Sequence, residues 1–187
     1  HAHAAQAGMS LPRRLAIIDV ESTGAHPVRD RITEIAILRI EDGEVVARWE
    51  SLVAPGQAIP PLIEQVTGIS DAMVADAPPF EAVADTVAAL LEGCVFVAHS
   101  ARFDFGFIKN AFTRIGREFA APVLCTVKLS RALFPEHHRH GLDALIERHG
   151  LVCAARHRAM GDVEVLWQFV RQVEAAFAPE VLARAVE

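Results

Sequence analysis

The chain has no tyrosine, only three cysteines among its 187 residues, and no long uninterrupted apolar run. Without such a run no transmembrane span is expected, and no membrane partner. Cys94, Cys125 and Cys153 are too few, too scattered and odd in number for a disulfide framework or a zinc knuckle, so they read as reduced core thiols of a cytoplasmic protein. Positive charge is also short: 18 Lys and Arg face 24 Asp and Glu, for a formal net charge of −6. That balance argues against broad electrostatic wrapping of a duplex. It leaves room for a site that grips a few charged groups through metal ions and backbone amides.

What is present is a well-stocked core. With 52% hydrophobic and 22% charged residues, the chain reads as one folded domain large enough to bury a real interior. The opening His- and Ala-rich stretch, His1 to Gly8, lacks a basic start and an apolar centre and is no signal peptide. Residues 1–10 are set apart as a cloning remnant or disordered tail, and 11–187 as a single domain.

The stretch Ile17-Ile18-Asp19-Val20-Glu21-Ser22-Thr23-Gly24 organises the rest. Side chains alternate along a strand, so Asp19 and Glu21 share one face while Val20 enters the other layer. Two like charges on one face repel unless a cation lies between them. Taken alone, the pair also reads as an ordinary charged strand end.

In chain order, Arg14 to Val20 is expected as a buried strand and Arg31 to Ile40 as a second. Asp42-Gly43 signals a hairpin that returns Val45 to Val53 antiparallel. Short helices are expected around Leu62 to Thr67 and after Ser70 or Asp71, then a longer one over Phe80 to Leu91 with Gly93 beyond it. Cys94 to Ala98 reads as a strand parallel to the first, because a helix leads to it. Helices are expected from about Ala101 to Ile115, over Thr126 to Phe134, over Leu142 to His149, and from near Ala159 or Asp162 to Ala176. Pro122 to Leu124 is a candidate edge strand, and Pro179 precedes a short last helix. The fold class is therefore α/β, with a central mixed five-stranded sheet flanked by helices.

Asp104 follows the second parallel strand, and in open α/β sheets functional groups gather at strand carboxyl ends. His157 and Asp162 are five residues apart, about 140° around a continuous helix. They can converge only if His157 lies on the loop before the last long helix and Asp162 in its first turns.

In this order, Asp-x-Glu, then Phe-Asp after a strand, then His-x-x-x-x-Asp opening a helix, the chain resembles the DEDDh (DnaQ-like) 3′–5′ exonuclease family. Asp19 and Glu21 match the first motif, Asp104 the second, and His157 with Asp162 the third. The resemblance runs from about Leu15 to Val173. It takes in Thr67-Gly68-Ile69, Ala98-His99 and Leu142-Asp143-Ala144-Leu145. A sister branch uses Tyr where this chain has His157, and a chain without tyrosine leaves only the His branch. Ser100 departs from the Asn of many relatives, at a position expected to brace the site.

The resemblance implies an RNase H-like fold and metal-dependent hydrolysis of phosphodiester bonds from the 3′ end of DNA, single-stranded or frayed, releasing nucleoside 5′-monophosphates. Two divalent ions, Mg²⁺ or Mn²⁺, are implied as cofactors, since such a pair activates water and stabilises the leaving oxygen. Asp19, Glu21, Asp104 and Asp162 are the implied metal ligands, Glu21 also counting among the catalytic residues with His157, the implied general base. Ser22, Thr23 and Gly24 are expected to receive the terminal nucleotide through backbone amides. Ile69 and Phe103 are expected to pack against its bases, and His99 to line the substrate site. Nucleic-acid 3′ ends are the expected partners, single-stranded DNA ahead of RNA, within a polymerase or repair assembly. The competing readings are an exoribonuclease of short RNA and a non-catalytic interaction module. His137 to His140 match no family motif and are expected as a solvated loop.

Overall fold

The computed structural model describes residues 11–186, so the expectation for residues 1–10 lies outside it. Five strands form one sheet: β1 (Arg14–Ser22), β2 (Ile32–Glu41), β3 (Glu44–Leu52), β4 (Val95–Ala98) and β5 (Val123–Cys125), in the spatial order β3-β2-β1-β4-β5. β1 is antiparallel to β2, and β2 to β3, while β4 runs parallel to β1 and β5 parallel to β4. This is the mixed sheet expected from the sequence.

The β2–β3 turn carries Asp42 at φ 52° and Gly43 at φ 79°. Two consecutive left-handed residues are what a two-residue type I′ hairpin requires. Arg13 clasps Asp42 at 2.6 Å, an exposed pair that adds little stability.

Helices α1 (Pro61–Thr67), α2 (Asp71–Ala75) and α3 (Phe80–Leu91) lie between β3 and β4, and α4 (Ala101–Arg114) lies between β4 and β5. After β5 come α5 (Thr126–Leu133), α6 (Leu142–His149), α7 (Ala159–Ala176) and α8 (Pro179–Ala185). Ser70 caps α2 by accepting from the Met73 amide, and Gly68 and Gly150 end α1 and α6 in left-handed conformations. None of the described helices is long and apolar enough to cross a membrane.

Strand periodicity sorts the core into two layers. Leu15 and Ile17 of β1 join Leu38 and Ile40 of β2 under α7, whose Val163, Leu166, Phe169, Val170 and Val173 recur at helical spacing. Ala16, Ile18 and Val20 face the opposite way, with Ile35 and Ile37, against α3 and α4 through Val87, Leu91, Phe107, Ile108 and Phe112. Each such Leu, Ile or Val contributes about 1.5–3 kcal/mol on burial. Of the three thiols only Cys94 is buried; Cys125 and Cys153 are half-buried, so the expectation of three core cysteines is corrected.

This sorting positions the site. β4 leaves β1 after the pairing of Ile17 with Val97, while β2 stays beside β1 through Glu21. The carboxyl end of β1 thus lies where the sheet changes from antiparallel to parallel neighbours, and its odd-numbered residues point to the α7 side. The loop before α7 closes that side at very short range. A Cβ added at Gly161 would lie 2.1 Å from the Ala155 carbonyl oxygen, so only glycine fits. Gly161→Ala is expected to cost about 1–3 kcal/mol through the forced backbone shift. In thermal denaturation that corresponds to a fall of about 2–4 °C per kcal/mol; an unchanged melting temperature would show that the loop is free to move.

Candidate active site

Asp19 and Glu21 project from the α7 face of β1, and Asp162 meets them from the first turn of α7. One carboxylate oxygen from each lies within 4.8 Å of the other two. Asp162 comes into reach because the chain before α7 curls back. His157 takes a left-handed backbone at φ 68°, Arg158 is the N-cap residue, and the His157 amide donates to Asp162 Oδ1 at 3.2 Å. The five-residue spacing therefore spans a loop and a helix start. A non-glycine residue in that region stores strain, which in folded proteins gathers at functional sites.

Asp104 sits in the first turn of α4, almost fully buried, and accepts from the Val20 amide at 3.1 Å. It stands outside the close trio but near enough for its charge to act on Asp19 and Glu21. All four carboxyls are held above their usual range. Burial is the largest cause for Asp19, and repulsion from Asp104, Glu21 and Asp162 adds to it. Burial pushes Glu21 up to about 7, and Asp162 and Glu34 push the same way. Burial raises Asp104 against the pull of the Val20 amide, and raises Asp162 against that of Arg156. One oxygen of Asp19, Oδ2, is buried without a hydrogen-bond partner.

Several supporting residues escaped the sequence reading. Glu34 lies directly opposite Glu21 in the β1–β2 ladder and is 2% exposed. Arg158 grips it through Nε and Nη2, the closest contact being 2.6 Å, and the Ala159 amide donates to Oε1 at 2.9 Å. This pair staples the start of α7 to the sheet. The signal was a lone carboxylate inside the apolar run Ile32 to Ile40, which needs a cation to be buried at all. Arg156 donates from Nη1 to Asp162 Oδ2 at 2.7 Å and from Nε to Asp143 Oδ1 at 2.6 Å. The same Nη1 lies 3.3 Å from His157 Nδ1.

The residues expected to meet substrate fare unevenly. The Thr23 amide is already committed to the Arg31 carbonyl at 2.9 Å, and its hydroxyl is bonded to Gln57 and accepts from the Arg31 amide. Ser22 is buried at the end of the β1–β2 ladder. Of the three amides expected to receive a nucleotide, that of Gly24 is the least engaged, with one long contact of 3.4 Å to Ser22 Oγ. A side chain at Gly24 would collide with Asp30, 2.4 Å from its Cβ position. Ile69 is fully buried with Ile59 and Val74 and presents no surface to a base. Phe103 is half-buried, its ring 4.8 Å from that of Phe107.

His99 is a brace. Burial lowers it to about 4, so the ring is neutral. Its Nε2 donates to the His140 carbonyl at 2.7 Å, and Nδ1 lies 2.8 Å from the Thr126 hydroxyl, which also reaches the Ala98 carbonyl at 3.1 Å. His140 corrects the solvated-loop expectation. It is 6% exposed, accepts from Ser130 at 2.7 Å and donates to the His137 carbonyl at 2.9 Å, whereas His137, His138 and Arg139 are exposed. Ser100 opens α4 in the left-handed region at φ 65°, and its hydroxyl makes no cap bond.

A crowded set of hard oxygen donors, with one buried and unpartnered oxygen on Asp19, suits a hard divalent cation. Fold and site together define an α/β domain with a carboxylate centre at the carboxyl end of its central strand, of the RNase H-like kind. The chain belongs to the exonuclease family: the family model described as Exonuclease (RNase_T) matches residues 16–169, and the relatives place it in the DnaQ-like group. It is 43% identical over 155 residues to the 3′-5′ exonuclease DinG of Bacillus subtilis, covering 82% of this chain and 17% of that protein. It is 42% identical over 151 residues to a DNA polymerase III subunit epsilon-like protein of Rhodobacter capsulatus, covering 78% of this chain and 21% of that protein. With a DNA polymerase III PolC-type of Oceanobacillus iheyensis it shares 38% identity over 162 residues, or 84% of this chain and 11% of that one. The chain thus spans a fifth or less of most of these relatives. Among solved structures, Exonuclease X in complex with 5′ overhanging duplex DNA matches at TM-score 0.69 and 28% identity, over 92% of this chain and 99% of that one. E. coli Exonuclease I with a dT13 oligonucleotide matches in fold at TM-score 0.77 and 20% identity, over 87% and 41% of the two chains.

Two predictions follow from this geometry. Glu34→Gln leaves Arg158 without its partner and is expected to destabilise the fold by about 3 kcal/mol, the low end for a broken buried pair because Arg158 is partly solvated. Urea denaturation measures it, and a loss under about 1 kcal/mol would remove the staple role. The second concerns pH. A carboxyl raised in the folded state keeps a proton that the unfolded chain has released, so its burial costs stability as pH climbs from the ordinary carboxylate range to about 7 for Glu21. A cation must displace those protons. The rise in melting temperature on adding Mn²⁺ is therefore expected to be small at pH 5.5 and larger at pH 8; equal rises at both would separate metal from these carboxyls.

Proposed function

We propose that this domain is a metal-dependent 3′–5′ exonuclease that acts on the 3′ ends of DNA, single-stranded or frayed, and releases nucleoside 5′-monophosphates. The observation that carries the reading is the convergence of Asp19, Glu21 and Asp162 within 4.8 Å beside His157, with Asp19 Oδ2 buried and unpaired. DNA is favoured over RNA by the relatives, which include DNA polymerase III proteins, and by Exonuclease X, which was solved on a DNA duplex with a 5′ overhang. The same relatives support a place within a polymerase or repair assembly.

Asp19, Glu21 and Asp162 would hold the divalent metal, a pair of ions in this reading, with the buried Asp104 adding its charge from α4. When bound, the pair lowers the pKa of a water and neutralises charge developing on the phosphoryl and leaving oxygens. The chain's own groups do the rest. His157, carried on a loop half open to solvent, takes the proton of the attacking water as general base. The Glu34–Arg158 staple and the hydrogen bond from the His157 backbone amide to Asp162 fix the backbone that carries that ring. The half-buried ring of Phe103 offers a face for a terminal base to stack on.

The test is digestion of matched 5′-labelled DNA and RNA oligomers with Mn²⁺. DNA is expected to shorten stepwise from its 3′ end, faster than RNA, and EDTA is expected to stop it. Asp19→Asn and Asp162→Asn should each abolish turnover in folded protein. His157→Ala should lose about 10²–10⁴ in rate while still binding metal. Turnover retained in either Asp variant would overturn the metal assignment, and faster cutting of RNA would make the enzyme an exoribonuclease.

A further inference from the structure

The Arg156 guanidinium occupies the position where positive charge is most needed. Half-buried, it touches Asp162 Oδ2 at 2.7 Å with Nη1, and that Nη1 also stands 3.3 Å from His157 Nδ1. Its Nε is anchored 2.6 Å from Asp143, whose side chain is 75% exposed at the start of α6. One cation thus blocks an oxygen of the carboxylate trio, covers a nitrogen of the expected base, and is tied to an acid outside the cleft.

We propose that Arg156 is an internal counter-ion of the carboxylate trio that competes with metal for Asp162 and is drawn aside onto Asp143 when metal binds. The inference rests on the metal-dependent reading above. The two partners differ in kind. Asp162 is almost fully buried and shared with Asp19 and Glu21, so a divalent ion bound there competes directly with the guanidinium. Asp143 lies in solvent, where an ion pair is weak but always available. The two bonds leave from Nε and Nη1, so Asp143 can hold Nε while Nη1 releases Asp162. That release uncovers the Asp162 oxygen and the Nδ1 of His157 in one movement, so loading the site also frees the base. Until then Arg156 offsets the mutual repulsion of Asp19, Glu21 and Asp162, and after release its charge remains beside the cleft that a phosphate must enter. Arg158 has no such freedom. It is locked to Glu34, which is not one of the three converging carboxylates.

The experiment is Mn²⁺ binding to the whole chain, followed by calorimetry and by the electron paramagnetic resonance of free Mn²⁺, in wild type, Arg156→Gln, Asp143→Asn and the double variant. Removing the competitor is expected to tighten Mn²⁺ binding in Arg156→Gln by about 5- to 10-fold, within the range of ordinary coupling between sites. Asp143→Asn removes the retreat position and is expected to weaken binding by about 3-fold, just below the usual range of coupling between sites because an exposed ion pair contributes little. In the Arg156→Gln background the Asp143 change should then have no effect. A purely structural Arg156 would loosen the site and weaken binding on removal, so unchanged or weaker Mn²⁺ affinity in Arg156→Gln overturns the proposal. An equal effect of Asp143→Asn with and without Arg156 overturns the tether. If wild type itself binds no Mn²⁺, the metal-dependent reading falls and this one with it; wild-type binding with no gain in Arg156→Gln removes this one alone.

Discussion

Repulsion among buried carboxylates is the constraint around which this molecule is built. Asp19, Glu21 and Asp162 converge, Asp104 adds its field from α4, and Glu34 stands opposite Glu21 across the β-ladder. Like charges facing each other across a ladder are destabilising, and burial makes them worse. A fold that tolerates five acids in one place must supply cations, keep protons, or leave room for an ion. All three devices are present: Arg158 on Glu34, Arg156 on Asp162, raised carboxyl pKa values, and an unpartnered oxygen on Asp19.

The sheet makes that crowding geometrically unavoidable. Residues 19 and 21 share the face of Leu15 and Ile17 because strands have period two, and that face is the one α7 covers. β4 ends its pairing at Ile17, so the carboxylates sit just past the last two-sided position of β1. The apolar layers above and below are closed on both sides, leaving the loop before α7 as the remaining wall. Its tightness at Gly161 and the left-handed backbone of His157 are local costs that the surrounding packing absorbs.

Much of this could be read from the residues. The strand carrying Asp19 and Glu21, the Asp42-Gly43 hairpin, the Phe80–Leu91 and Leu142–His149 helices, and the loop position of His157 all follow from local rules of period, turn chemistry and helix geometry. What stayed hidden depends on where distant segments meet. Glu34 was one polar letter in an apolar strand until the ladder set it opposite Glu21 and α7 brought Arg158 to it. Nothing near Arg156 in sequence shows that Asp143 will be its anchor. His140 read as part of a solvated His-rich run because no local pattern reveals that Ser130, ten residues earlier, turns a hydroxyl toward it. The surroundings of Thr23 and Ile69 stayed hidden for the same reason. The Thr23 amide is spent on Arg31, and Ile69 is buried by its own neighbours.

The two arginines flanking His157 illustrate how one short loop can carry both permanent and exchangeable charge. Arg158 forks onto a carboxylate that has no other use, with two nitrogens and an adjacent backbone amide converging on Glu34, and such a contact is set to persist. Arg156 spreads its bonds over Asp143 and Asp162, one wet and one buried, so neither contact alone holds it. The difference matters for a domain of net charge −6 proposed to receive a polyanion. Long-range attraction is not available to it, so binding has to come from charges placed within a few ångströms of the phosphate. A cation that can leave its carboxylate is worth more there than one that cannot, because it offsets the carboxylate charge and, once displaced by metal, remains beside the site.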